Sequence, residues 1–336
     1  MKKLKPEITV HFPNSFDEPF ELGLFKNMLR IRRLEELCAE LYTQEKIRGF
    51  LHLYIGEEAV ATGVLSQARA KDNVIATYRE HGHALLKGLS ARSILAEMFG
   101  KRTGCCRGRG GSMHLFSKEH RFFGGQAIVG AGLPHAVGLA LASEWLGEDR
   151  ITFCFFGDGA VAEGQFHESL NLAALWKLPV LFCCENNFYG MGTAIERAQS
   201  QTNLVEKAKS YKIQGLSVDG MDVDAVVNGT RQALFWMQEN KGPFFLELKT
   251  YRFRAHSMFD PDLYRSKEEV LQWKQRCPIE QKKKTLRQKG LLNNEKLLAI
   301  EKGIQDELSD AKTFAEASPF ESPEDLYQFV YAGDGL

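Results

Sequence analysis

No run of 18 apolar residues occurs in this sequence of 336 residues, so a bilayer-spanning helix is not expected. Neither sign of charge is in excess. Lys+Arg and Asp+Glu both number 43, so no overall field draws the chain to nucleic acid or to an anionic membrane. The basic start Met1-Lys2-Lys3 lacks the apolar stretch of a secretory signal, because His11, Pro13, Asn14, Asp17 and Glu18 break up the residues after it. Cysteines are few, at 38, 105, 106, 154, 183, 184 and 277, and their spacing makes neither a disulfide framework nor a zinc site. Reduced thiols and a cytoplasmic compartment are therefore expected. There is no internal repeat and no low-complexity tract. With 44% hydrophobic residues the chain can bury a sizeable core, and its zero net charge does little to keep copies apart, which fits an oligomer.

The apolar pattern predicts alternating strands and helices. Residues 1–20 read as an arm, and 21–46 as a helix whose stripe is Leu34, Leu37, Cys38 and Leu41. Asn73–Thr77 reads as a strand and Ser90–Phe99 as a short helix capped by Ser90. Residues 100–132 are glycine-rich and read as one long loop, a kind that is usually functional or disordered. Pro134–Gly147 then reads as a helix. Next come an apolar run at 151–156, a helical pattern at 163–176 and a second run at 180–184. Strand, helix, strand makes a right-handed crossover between parallel strands. A further unit runs from Val218 through a helix near 223–239 to a strand at 244–249. Near-continuous apolar strands fit a sheet covered on both faces. From 266 the chain becomes helical and charged, with Ser266 and Glu269 in capping-box spacing and a helix at 295–317. Lys282-Lys283-Lys284 reads as a solvated helix face. The expected class is α/β: a doubly wound, mostly parallel sheet with helices on both faces. It divides into an arm (1–20), an α/β domain (21–265) and a C-terminal helical region (266–336) packed on that domain.

Gly157-Asp158-Gly159 and Asn186-Asn187 each come directly after an inferred strand. Taken alone, either is simply a turn. If the two strands are neighbours, both groups sit at the carboxyl edge of the sheet, where open α/β folds bind ligands. An aspartate and an amide offer oxygen, which Mg²⁺ prefers alongside phosphate and water. The glycines and the helix start after Gly159 would admit an anion. These residue types point to a metal-bridged diphosphate.

That spacing, with 26 residues between Gly159 and Asn186, resembles the thiamine-diphosphate fingerprint. The surrounding segments are similar to the alpha subunit of the pyruvate dehydrogenase decarboxylase family, which includes other 2-oxo acid and acetoin dehydrogenases. They include Arg48-Gly49-Phe50, Thr77-Tyr78-Arg79, Gly110-Gly111-Ser112-Met113-His114, Tyr189-Gly190-Met191-Gly192-Thr193 and His256-Ser257-Met258, in order from about 20 to 332. The resemblance implies the diphosphate-binding half of a thiamine-diphosphate fold. It implies Mg²⁺ on Asp158, Asn187 and the Tyr189 carbonyl, and diphosphate on Tyr78, Arg79, Gly159 and Ala160. Ala127 and Val129 would meet the aminopyrimidine, His81 and His256 would flank the reactive end, and Phe50 and His52 would reach the substrate pocket. Many relatives carry glycine where this chain has Ala127.

The implied activity is oxidative decarboxylation of a small 2-oxo acid, with transfer of the acyl unit to a lipoyl group on an acyltransferase core. Pyruvate is the expected substrate; acetoin and branched-chain relatives share the fingerprint. The chain has no second set of parallel strands to house the pyrimidine-side glutamate. A beta subunit is expected to supply it in an α2β2 heterotetramer. A nicotinamide-dependent dehydrogenase fits less well, because Gly130-Ala131-Gly132 lacks the third glycine of that fingerprint. A non-catalytic cofactor-binding paralogue is disfavoured by the intact Arg79, Asp158, Asn187 and His256. Cys105-Cys106 reads as a bystander pair.

Overall fold

Neighbouring residues of a strand face opposite ways, so an apolar run such as Phe153-Cys154-Phe155-Phe156 needs cover on both sides. The computed structural model, which describes residues 16–330, supplies it. Among these residues eight strands form: β1 Asn73–Thr77, β2 Phe122–Gln126, β3 Thr152–Gly157, β4 Val180–Asn186, β5 Tyr189–Gly190, β6 Thr193–Ala194, β7 Gln214–Asp219 and β8 Phe244–Lys249. Twelve α-helices accompany them among the described residues: α1 Glu18–Thr43, α2 Glu58–Leu65, α3 His81–Lys87, α4 Ala91–Met98, α5 Gly132–Trp145, α6 Gly164–Leu175, α7 Ile195–Ala198, α8 Leu204–Lys209, α9 Val223–Asn240, α10 Lys267–Lys274, α11 Pro278–Gln288 and α12 Asn294–Ala317. Six strands make one fully parallel sheet in the order β2-β1-β3-β4-β8-β7. β5 and β6 form a small separate ribbon.

Each face has its own core. Phe153, Phe155, Leu181 and Cys183 pack with residues of α1, α2, α4, α9, α11 and α12. Cys154, Phe156, Phe182 and Cys184 pack with α5, α6 and α8 on the other side. The α/β, doubly wound expectation is met. The strand order reverses between β1 and β3, since β2 lies on one side of β1 and the later strands on the other. That reversal opens a crevice at the carboxyl ends of the strands. Among the described residues no helix is long and apolar enough to cross a membrane.

Three expectations change. The first helix begins at Glu18, where the Asp17 side chain accepts the Phe20 N–H at 3.2 Å; the rest of the expected arm, up to residue 15, lies outside the described residues. The glycine-rich 100–132 is not one loop, because β2 lies within it. Phe122 is fully buried there, and a Cβ at Gly125 would sit 2.3 Å from the buried Glu80 carboxyl. Glycines that suggested a loop instead allow close packing. Lys282 is buried rather than solvated; its ammonium pairs with Glu21 and Asp224, each at 2.6 Å, tying α11 to α1 and α9.

Candidate active site

The crevice contains a cavity of about 510 Å³, a size typical of small-ligand sites. The ends of four neighbouring strands contribute. Tyr78 and Arg79 come after β1, Ala127 and Val129 after β2, Asp158, Gly159 and Ala160 after β3, and Asn187 and Tyr189 after β4; all line it. β3 and β4 are adjacent, with Gly157 opposite Glu185. Phe50, His52 and His256 complete the wall.

The two asparagines diverge. Asn186 turns inward and donates to Glu247 Oε1 at 2.8 Å. Asn187 donates to Glu57 Oε1 at 3.0 Å, while its own Oδ1 accepts the Tyr189 N–H at 3.3 Å. Gly159 and Gly190 touch across the cavity floor, and a Cβ on Gly159 would lie 3.1 Å from the Gly190 Cα.

Arg79 is buried and its fork is oriented by two carbonyls, Leu53 O and His256 O, each at 2.7 Å. Its closest carboxylate contact is long, 3.8 Å to Glu57. A second buried arginine, Arg252, also lines the cavity. It donates to Tyr264 Oη at 2.9 Å and Met191 O at 3.2 Å, and makes no ion pair among the described residues. Burial and the Arg252 charge both lower the Arg79 pKa. Two crowded guanidinium groups without close counter-ions favour an anion.

Opposite them, burial pushes the Asp158 carboxyl up to about 6, against the pull of backbone N–H groups and Arg252. Burial lifts Glu57 to about 7, with Arg79 opposing and Glu185 adding to the rise. Glu57 Oε2 has no hydrogen-bond partner. A carboxyl in such surroundings favours an added cation. His52 is held down at about 2 and His256 at about 3, by burial first and then by Arg79, so both are neutral at pH 7. Their rings stand 5.1 Å apart, with Tyr78 Oη 3.5 Å from His256 Nε2.

His81 lies apart. It opens α3 fully buried, outside the cavity lining, with Nδ1 2.9 Å from Glu35 Oε2 and Nε2 3.0 Å from Ser112 Oγ. Both nitrogens are occupied, so it cannot flank the cavity as His256 does. Its reach to Ser112 instead pins the glycine-rich segment, whose next residue, Met113, lines the cavity. Glu97 holds the same segment, accepting N–H bonds from Cys106 (2.7 Å), Gly108 (2.8 Å), Gly110 (2.7 Å) and Gly111 (3.1 Å). Sequence reasoning missed Arg252 and Glu57. For Arg252 the signal was its place just after β8, four residues before His256; Glu57 had none.

Residues 26–324 match the family described as Dehydrogenase E1 component. The chain belongs to the dehydrogenase E1 component family. It is 46% identical over 313 residues to the pyruvate dehydrogenase E1 component subunit alpha of Rhizobium meliloti, covering 93% of this chain and 90% of that one. With the subunit of the same name from Zymomonas mobilis it shares 46% over 314 residues, 93% of this chain and 88% of the relative. The Rickettsia bellii counterpart is 44% identical over 307 residues, 91% and 94% of the two chains.

Proposed function

We propose that this chain is the alpha subunit of a thiamine-diphosphate- and Mg²⁺-dependent pyruvate dehydrogenase. It would decarboxylate pyruvate and pass the acetyl unit to a lipoyl group on an acyltransferase core. The observation that carries this reading is the pairing, in one cavity, of two guanidinium groups lacking close counter-ions with the buried Asp158–Asn187 pair. Acetoin and branched-chain substrates share the fingerprint, but the relatives' names favour pyruvate.

The residues fit the implied groups. Asp158, Asn187 and the Tyr189 carbonyl would hold Mg²⁺, which takes oxygen ligands and keeps several from phosphate and water. A cation there offsets the burial that raises the Asp158 pKa. Tyr78, Arg79 and Arg252 would hold the diphosphate, with Gly159 and Ala160 beside it through backbone. Ala127 and Val129 would border the aminopyrimidine. When bound, thiamine diphosphate supplies the electron sink that decarboxylation of a 2-oxo acid requires. His256, in the cavity lining, would hold or move a proton at the substrate end. Its neutral imidazole has one donor and one acceptor. His52 and Phe50 form the substrate wall. His81 acts as a positioning residue through Ser112.

The exposed apolar side chains Phe50, Ile128, Val129 and Met191 line the cavity. Such a rim supports cover by another chain, consistent with a beta subunit in an α2β2 assembly. The test is turnover by the co-expressed alpha and beta chains on pyruvate, acetoin and a branched-chain 2-oxo acid. Cofactor-dependent turnover favouring pyruvate is expected, with none from the alpha chain alone. Preference for another substrate, or robust turnover by the alpha chain alone, would overturn the reading.

A further inference from the structure

The sequence holds two adjacent cysteine pairs, and the fold treats them oppositely. Cys183 and Cys184 lie in β4, where neighbouring side chains point to opposite faces. One is buried in each core. Cys105 and Cys106 lie instead in the glycine-rich segment, both partly exposed, with their sulfurs 4.0 Å apart. The backbone around them is fixed by Glu97, which accepts the N–H groups of Cys106 and Gly108. The Cys106 sulfur also faces His114 O at 3.3 Å.

Direct closure to a disulfide suits this pair poorly. Cα atoms joined by a trans peptide are about 3.8 Å apart, shorter than the ~4.4–6.8 Å that disulfides usually span. A bridging atom suits it well. Two sulfurs bonded at about 2.3 Å to one pyramidal centre, at an angle of ~100°, stand roughly 3.5 Å apart, a separation that small side-chain rotations reach from the observed 4.0 Å. The Glu97 carboxylate lies within ligand range of both sulfurs. Its four N–H bonds already occupy it, so the site offers two ligands and no third. A centre that needs only two sulfurs is the match.

We propose that Cys105 and Cys106 form a dithiol site for a single soft thiophilic centre, the ligand class being a monosubstituted trivalent arsenical. In the reaction with an arsine oxide, two As–S bonds form and the As–O bond breaks. Both thiol protons leave with the oxygen as water, and no electrons change hands. The Cys106 thiol, by its hydrogen bond, lowers the pKa of Cys105 below the usual thiol value, which favours the attacking thiolate. The site lies outside the cavity lining and does not depend on the proposed activity.

Phenylarsine oxide titrated into the native alpha–beta complex, purified free of lipoyl-bearing protein, tests this. Intact mass should show one adduct per alpha chain that survives a monothiol and is released by a dithiol. Cys105→Ser and Cys106→Ser should each abolish it while keeping the wild-type melting temperature. Peptide mapping should leave Cys183 and Cys184 unmodified. No adduct on the native alpha chain, an adduct persisting in both variants, or one displaced by a monothiol would each overturn the proposal.

Discussion

Replacing Glu97 with alanine removes the acceptor of four backbone N–H groups, those of Cys106, Gly108, Gly110 and Gly111. Helix α4 itself tolerates the change, because alanine is the best helix former. Hydrogen bonds to a charged acceptor contribute about 1.5–3 kcal/mol each, so the sum for four is about 6–12 kcal/mol. The loss measured will be smaller, since the segment can open and let water satisfy those groups. The effect should therefore be local: at least about 3 kcal/mol off the opening free energy of residues 100–114, or on the order of 100-fold faster amide exchange. Glu97→Gln should not rescue, because its NH₂ would face two of the same donors. Hydrogen–deuterium exchange on peptides spanning 99–115 is the assay. Protection within about threefold of wild type, less than ~1 kcal/mol, would refute the claim that one carboxylate organises this segment. Cofactor affinity should fall as well, because Met113 carries the segment into the cavity wall.

Other substitutions probe the same contacts. Arg252→Met removes one of the two cavity cations and should weaken cofactor binding by about 2–3 kcal/mol, some 30- to 150-fold, with partial recovery in Arg252→Lys; calorimetry showing no loss would remove Arg252 from the site. Gly159→Ala places a Cβ 3.1 Å from Gly190 Cα and should lower cofactor affinity, whereas Gly138→Ala, with open space around it, should not; equal effects would contradict the cradle. Glu21→Gln leaves Lys282 buried with Asp224 alone and should cost about 3 kcal/mol in denaturant unfolding. Burial alone would raise the Glu21 pKa, but bonds from Lys282 and Lys289 outweigh it and hold it below the ordinary value. The stabilisation is thus complete above the ordinary carboxylate range and is lost as pH falls through the depressed value. Glu21→Gln should flatten that acid limb, and an unchanged limb would count against the pair.

The elements legible in the sequence were those whose own pattern decided them. α12 was expected at 295–317 and found at Asn294–Ala317, because its apolar period and cap are local. The β3–α6–β4 crossover was legible for the same reason, and with it the placement of Asp158 and Asn187 at one sheet edge. What stayed hidden depends on partners far along the chain. β2 lies among glycines that mimic a loop until Glu80 is seen against Gly125. Lys282 reads as a surface lysine until Glu21, on another helix, is brought to it. His81 and His256 look alike as motif histidines; only the fold turns one toward Glu35 and Ser112 and the other into the cavity.

The most direct measurement of the central claim, that Asp158 and Asn187 hold a divalent cation against a diphosphate, is calorimetric titration of thiamine diphosphate into the purified alpha–beta complex. It would be run with and without Mg²⁺, for wild type and Asp158→Ala. Wild-type binding should depend on Mg²⁺. The variant, with an unchanged circular dichroism spectrum, should lose that dependence together with at least about 3 kcal/mol, on the order of 100-fold in affinity. Mg²⁺-dependent binding of wild-type strength by Asp158→Ala would contradict the assignment.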